Sequence, residues 1–440
     1  MTTTASPSGK PDTGAAPHPH TVSAADPAGT TKLPPVVWLL GAVAFLMGTT
    51  ELVVAGLLPE ISTALGVSVA HAGLLITVFA IGMMLGAPAM AMATLRLPHR
   101  STLITALLVF AAGHIAGALS PTFAIALIGR FAAALGTGTF WAVGAVVATA
   151  AAGPAASTRA MGVMIGGVTL ANIVGVPLGT AGGQLLGWQG PFWVLAVLSL
   201  IATVVIARQL PADKGGSDTS VRAELCSVKH IRLWLVYLAI ALVQGAVLAT
   251  YSYVAPLLTE RAELPQALVP LAMLGYGAGA LAGTTFAGRR GDSRPYVTAI
   301  PAAAVTAVML GAITLWATNS IAAVILIVLL GAAGIMTNPI LVGEVVRIAG
   351  PGRALPMALA TSAFNVGIAA GSWIGGIALT SSLGLRGPSL AGFFLALVAL
   401  LPLGILAASR RNTGGLDDGR TLVLDHFQCR GDGGSPQARS

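Results

Sequence analysis

Charged side chains are scarce in this sequence. Asp, Glu, Lys and Arg make up 9% of the 440 residues, where soluble globular chains carry roughly a quarter. With 55% of the residues hydrophobic, that scarcity excludes a large soluble core and points to a polytopic membrane protein. Cysteine is nearly absent: Cys226 and Cys429 both fall in polar stretches, so there is no disulfide framework and no metal-ligand spacing. Also missing are GxxxxGK[ST], HExxH, GxSxG and any cluster of Cys and His. An ATP-driven pump or a membrane hydrolase would need one of these or an equivalent, so neither an enzyme nor a cofactor is expected. The formal charge of +8 does not imply nucleic acid, because the basic residues are not gathered on one polar element but stand at the ends of apolar runs.

What is present is long apolar runs. Crossing about 30 Å of hydrocarbon takes about 20 helical residues, and twelve runs qualify: 36–58, 71–93, 101–120, 123–150, 160–185, 191–208, 231–256, 267–288, 296–316, 321–346, 354–381 and 389–408. The expectation is an all-α protein of twelve transmembrane helices. With both termini cytoplasmic, thirteen Lys and Arg residues fall in the inner loops, against Arg261 and Arg386 in the outer ones. The positive-inside rule therefore sets that orientation. Residues 1–34 and 409–440 are polar and read as disordered cytoplasmic tails. The connection 209–230 separates an N-terminal six-helix bundle, 35–208, from a C-terminal one, 231–408.

The two halves match. ELVVAGLLPE at 51–60 aligns with YSYVAPLLTE at 251–260, and an offset of 193 pairs Gly82 with Gly275, Gly86 with Gly279, Arg96 with Arg289 and Asn172 with Asn365. Two parallel repeats of six spans are one plan of secondary transporters.

Glu51 is the only ionisable residue between Leu39 and Leu58. An acid inside a span is costly and ordinarily faces a cavity and a partner. Counting about 1.5 Å per residue puts Glu51 about 22 Å above the inner face and Arg130 of span four at about 18 Å, so the two share a layer. Burial favours the neutral acid and a nearby guanidinium favours the carboxylate. A conformational change or a substrate that alters either would load or release a proton. The alternative is a fixed structural ion pair. His114 falls at similar height on span three, either as a packing residue or as part of a relay, and Glu344 belongs to the inner flank of span ten.

Gly167, Ala171, Gly175, Gly179 and Gly183 recur every fourth residue on span five, and Ala363, Gly367, Gly371 and Gly375 repeat the pattern on span eleven. Such stripes allow close helix approach, here expected between the two bundles, and Pro177 should kink span five. Polar and aromatic candidates for a substrate cavity are Trp141, Asn172, Gln244, Tyr251, Tyr253, Asn338 and Asn365.

These stretches carry a resemblance. TELVVAGLLPEI with VSVAHAGLLITVFAIGMMLGAP resembles the first two spans of bacterial chloramphenicol exporters and of relatives that export arabinose-type sugars. GRFAAALGTGTFWA resembles the span-four motif of the twelve-span drug:proton antiporters of the major facilitator superfamily, whose arginine would be Arg130. VTLANIVGVPLGTAGGQLLGW resembles their span-five antiporter signature, carried by Gly175, Pro177 and Gly179. The resemblance implies that spans one, four, seven and ten line the cavity, that two, five, eight and eleven form the moving interface, and that three, six, nine and twelve lie outside. GRRGDSRP resembles the inner-gate motif, through Gly288, Arg289, Asp292 and Arg294. The first-half loop lacks its acid, with His99 in place of an aspartate. Ala133 replaces the usual glutamine in span four, and Val176 is inserted in the span-five signature.

The expectation is a monomeric, proton-coupled exporter of a small amphipathic antibiotic or metabolite, chloramphenicol-like first, in the cell membrane. Its partners would be the small-molecule substrate, protons and the lipid bilayer. The alternatives are a sugar or metabolite exporter with the same mechanics and, more remotely, a non-transporting membrane sensor.

Overall fold

The computed structural model describes residues 33–93, 97–153, 156–211, 224–225, 227–228, 230–290, 295–350 and 354–413. Residues 409–413, expected in the C-terminal tail, continue the last helix, while most of the two expected tails and of the 209–230 connection, both cysteines, Arg96, Asp292 and Arg294 lie outside the described residues. Among these, twelve helices are long and apolar enough to cross a membrane: Pro35–Gly56, Val69–Ala93, His99–Ala118, Phe123–Ala152, Arg159–Leu186, Gln189–Gln209, Ile231–Tyr251, Gln266–Arg289, Pro295–Trp316, Ser320–Ala349, Leu355–Thr380 and Gly384–Arg410. They are called spans one to twelve below. Every end lies within five residues of the expectation. Spans seven and twelve differ most, each by five residues at one end; the chain leaves span seven before Tyr253, with φ −114° and ψ 26°, ahead of the turn Val254–Pro256.

The internal repeat is visible in these elements. Spans four and ten are each 30 residues long. Each ends on a glycine, Gly153 at φ 76° and Gly350 at φ 86°, a left-handed conformation that side chains disfavour. At about 1.5 Å per residue both helices outrun the hydrocarbon and project beyond it.

We call the face that holds Pro35 proximal and the opposite face distal. Near the proximal face the apolar core is double. One cluster, including Val37, Phe79, Leu107, Phe110 and Met164, draws only on spans one to six and the residues beside them. Another, including Tyr237, Ala299, Leu341 and Leu403, draws only on spans seven to twelve. Toward the distal face a single cluster runs through both halves, from Val53, Leu57 and Leu75 to Leu248, Tyr253 and Met273. The apolar cores of the halves are thus continuous at one end and divided at the other, where Ser362 of span eleven still donates to the Met84 carbonyl of span two at 2.8 Å. Across the seam span two packs on span eleven and the distal part of span five on span eight.

The glycine stripes correct one expectation. A side chain at Gly179 would meet Val53 at 2.6 Å, and one at Gly183 would meet Leu57 at 2.6 Å. Gly175 faces Phe45 and Thr49. The stripe of span five therefore packs on span one of its own half. That of span eleven packs on span seven, where Gly371 abuts Gly245 and Gly375 abuts Ala249. Gly73 of span two meets the Tyr253 side chain across the halves, and at Gly277 of span eight the approach is to backbone. A Cβ there would stand 2.5 Å from the Asn172 carbonyl oxygen and 2.7 Å from Ile173 Cα. Both belong to the single π-turn Ala171–Gly175 that interrupts span five. Pro177 explains the turn, since it offers no N–H to residue 173 and its ring crowds that carbonyl.

Candidate functional site

A buried polar cluster gathers around Arg130, which is 1% exposed. Span four can carry so large a group inside because its neighbours are small. A Cβ on Gly113 of span three would fall 2.5 Å from the Gly129 carbonyl oxygen and 2.6 Å from the Ala133 amide. Spans three and four therefore meet backbone to backbone, and His114 and Arg130, one residue beyond each glycine, enter the same interior.

Of the guanidinium donors, Nη1 reaches the Thr50 carbonyl at 3.0 Å and Thr50 Oγ1 at 2.9 Å, while Nε reaches the Leu75 carbonyl at 3.4 Å. Its carbon lies 4.1 Å from the centroid of the Phe79 ring, within cation–π range. Nη2 is buried and has no hydrogen-bond partner. Thr50 Oγ1 is also 2.7 Å from His114 Nε2, and His114 Nδ1 is 2.8 Å from the Phe110 carbonyl. Spans one, two and four thus meet at one guanidinium, and span three joins them through Thr50.

Glu51 adjoins this cluster on span one and is half-buried. It interacts electrostatically with Arg130, but the two make no ion pair within 4.0 Å. The direct partner of the arginine is Thr50, the residue next to the acid. On the helix Glu51 follows Met47 by four, so they share a face. Met47 Sδ lies 3.3 Å from Thr137 Oγ1 of span four, which turns that face of span one toward span four.

The remaining candidates separate. Gln244 and Asn338 bring spans seven and ten together, with Asn338 Nδ2 3.5 Å from Gln244 Oε1. Asn365 donates to the Thr361 carbonyl at 2.9 Å, and its Oδ1 is buried without a partner. Trp141 is half-buried, edge-on to Phe140 with ring centroids 5.8 Å apart. Asn172 sits in the π-turn of span five. Tyr251 and Tyr253 are each 1% exposed and lie in the distal seam. Tyr251 stacks on Tyr276 at 4.2 Å, and Tyr253 donates to the Ser372 carbonyl at 2.9 Å, so in this conformation both are walled off from any open cavity. Gly175 and Pro177 are buried, and Gly179 packs on Val53. Gly288 and Arg289 are exposed at the proximal end of span eight.

Two contacts had no signal in the sequence. At the distal face Gln266 Nε2 donates to Glu60 Oε1 at 2.7 Å, and Gln184 Nε2 to the Gln266 carbonyl at 3.3 Å, so polar groups from both halves meet. At the proximal face Glu344, 3% exposed, accepts from the Tyr296 hydroxyl at 2.8 Å and pairs with Arg347, with Arg410 Nη1 at 3.8 Å. Spans nine, ten and twelve are tied there.

Comparison with known proteins agrees with this architecture. The Major Facilitator Superfamily profile matches residues 40–354. A chloramphenicol resistance protein of Streptomyces lividans is 35% identical over 373 residues, covering 84% of this chain and 95% of that protein. The inner membrane transport protein YdhP of Escherichia coli K12 is 31% identical over 370 residues, covering 84% and 95%. Among solved structures, a bacterial homolog of the human lysosomal transporter Spinster, inward-facing and unoccupied, shares the fold. Its TM-score is 0.66 at 16% identity, covering 91% of this chain and 98% of that one. The profile spans well over half the sequence, both relatives exceed 30% identity, and twelve apolar helices are in place; the chain belongs to the Major Facilitator Superfamily of transporters and is a multi-pass cell-membrane protein.

Proposed function

We propose that this protein is a proton-coupled antiporter that exports a small amphipathic antibiotic or metabolite, chloramphenicol-like first, with both termini in the cytoplasm. The observation that carries the reading is the placement of Glu51. It stands beside a buried guanidinium whose Nη1 and Nε are held by Thr50 and Leu75 while Nη2 is left over. Each unit of charge moved across 100 mV is worth about 2.3 kcal/mol. Losing one charge-assisted hydrogen bond costs about 1.5–3 kcal/mol. The two are comparable, so rearranging this cluster is enough to couple proton entry to substrate exit.

The 35% identity to the chloramphenicol resistance protein supports the substrate class. The apolar core, continuous distally and divided proximally, supports a conformation closed to the outside. Glu51 releases its proton to the cytoplasm as substrate binds. The outward-open state reloads it, and the six-span halves rock about the distal and proximal seams.

The test is uptake of labelled chloramphenicol, within a small compound panel, into everted vesicles acidified inside. Accumulation that collapses with the pH gradient is the expected result. Accumulation of no compound, or accumulation indifferent to the gradient, overturns the reading.

A further inference from the structure

The coupling pair has a support that the family pattern does not supply. His114 lies on span three, in the class of helices the resemblance places outside the transport path. Yet it is 1% exposed and forms one end of a continuous hydrogen-bond chain. A carbonyl oxygen can only accept, so the 2.8 Å contact with Phe110 O fixes the proton on Nδ1. Thr50 Oγ1 already accepts from Arg130 Nη1 at 2.9 Å, so its single proton is directed to His114 Nε2 at 2.7 Å. The direction runs one way: Arg130 donates to Thr50, Thr50 to His114, and His114 to the backbone of span three.

We propose that His114 is a positioning residue for the proton-coupling site: by accepting the Thr50 hydroxyl proton it turns the Thr50 lone pair toward Arg130 and holds the guanidinium apart from Glu51. The inference rests on the reading of Glu51 and Arg130 as that site. Three features single out the histidine. Two rings pack against it, Phe110 at 4.1 Å and Phe192 at 5.7 Å between centroids, which restricts its plane. Its two ring nitrogens both have partners, which leaves no freedom for the other tautomer. Thr50 adjoins Glu51 in sequence, so any rotation of the threonine is felt beside the acid.

The charged groups facing the chain are Arg130 from span four and Glu51 from span one. Span two contributes the Leu75 carbonyl and the Phe79 ring, and span six the Phe192 ring. Without the Thr50 hydroxyl the guanidinium keeps only the Thr50 and Leu75 carbonyls, so it can turn toward Glu51 and oppose its protonation.

The test separates hydrogen bonding from shape. Thr50→Val keeps the volume and loses the hydroxyl, whereas Thr50→Ser keeps the hydroxyl and loses a methyl. His114→Gln keeps an acceptor near the Nε2 position, and His114→Leu does not. In everted vesicles with matched amounts of monodisperse protein, Thr50→Val and His114→Leu should lower gradient-driven chloramphenicol uptake by about tenfold. Thr50→Ser and His114→Gln should recover a third or more of the rate. The reverse order, with valine active and serine not, means a packing role and overturns the proposal.

Independently, nitrogen NMR of the histidine that disappears in His114→Gln should show a protonated Nδ1 and a bare Nε2, the latter shifting in Thr50→Val. A protonated Nε2 overturns the chain itself. Should Glu51→Gln transport at the full gradient-driven rate, the role of the pair fails together with this one. The NMR arm then still decides whether the geometry is right.

Discussion

Adding a single methyl group at Gly277 should open the distal seam. A Cβ at that position stands 2.5 Å from the Asn172 carbonyl oxygen and 2.7 Å from Ile173 Cα. Both are backbone atoms, so neither can rotate out of the way as a flexible side chain would. Overpacking of this kind costs about 1–3 kcal/mol. Because Gly277 belongs to span eight and its neighbours to span five, the strain exists only while the two halves are closed on that side. Taking about 2 kcal/mol, Gly277→Ala shifts the closed-to-open ratio by about 30-fold.

Spin labels at Thr63 and Ala267, both exposed on the distal face and one in each half, report the separation in a background with Cys226 and Cys429 replaced by serine. Gly277→Ala should move population to longer distances. Gly371→Ala is the control, because its new Cβ meets Gly245 Cα at 2.8 Å within one half. It should lower the unfolding temperature and leave the distances alone. An unchanged distribution in well-folded Gly277→Ala, or the same shift in both variants, would refute the view that this glycine governs the seam.

Other outcomes follow from the same geometry. Arg130→Lys should reduce gradient-driven uptake by about 100-fold at matched expression. One ammonium cannot reach Leu75, both Thr50 oxygens and the face of Phe79 together, and about two charge-assisted bonds are lost. Tyr296→Phe takes one donor from the buried Glu344 carboxylate, which should cost about 1.5–3 kcal/mol and appear as a lower unfolding temperature in detergent. Pro177→Ala restores an N–H to span five, so the π-turn at Ala171–Gly175 should relax toward regular helix. Hydrogen exchange across residues 171–177 should slow, and unchanged exchange would mean that something other than the proline holds the turn.

Hydropathy and charge placement made the architecture legible, because twelve runs needed only length and a polar boundary to be recognised. Arg130 is legible for the same reason, as the only Lys or Arg away from the ends of the expected spans. Its partner is not. Counting residues along a helix gives depth but not which way a side chain turns, so it places Glu51 and Arg130 in one layer without showing that Thr50 is the residue Arg130 bonds. A hydroxyl in an apolar run ordinarily bonds its own helix, as Thr49 does to the Phe45 carbonyl at 2.8 Å. Nothing local distinguishes Thr50 from it. The glycine stripe of span five misled in a similar way. Small residues every fourth position announce that a helix packs closely, not which helix, and the neighbour is span one. Glu60 with Gln266 joins residues 206 apart, a pairing that only the folded chain brings about.

The central claim, that Glu51 is the group whose proton exchanges with substrate, is tested most directly by adding chloramphenicol to purified protein in weakly buffered detergent solution and following proton release with a pH dye. The wild type should release protons in proportion to substrate bound, and Glu51→Gln should bind substrate and release none. Equal release from both proteins would contradict the account.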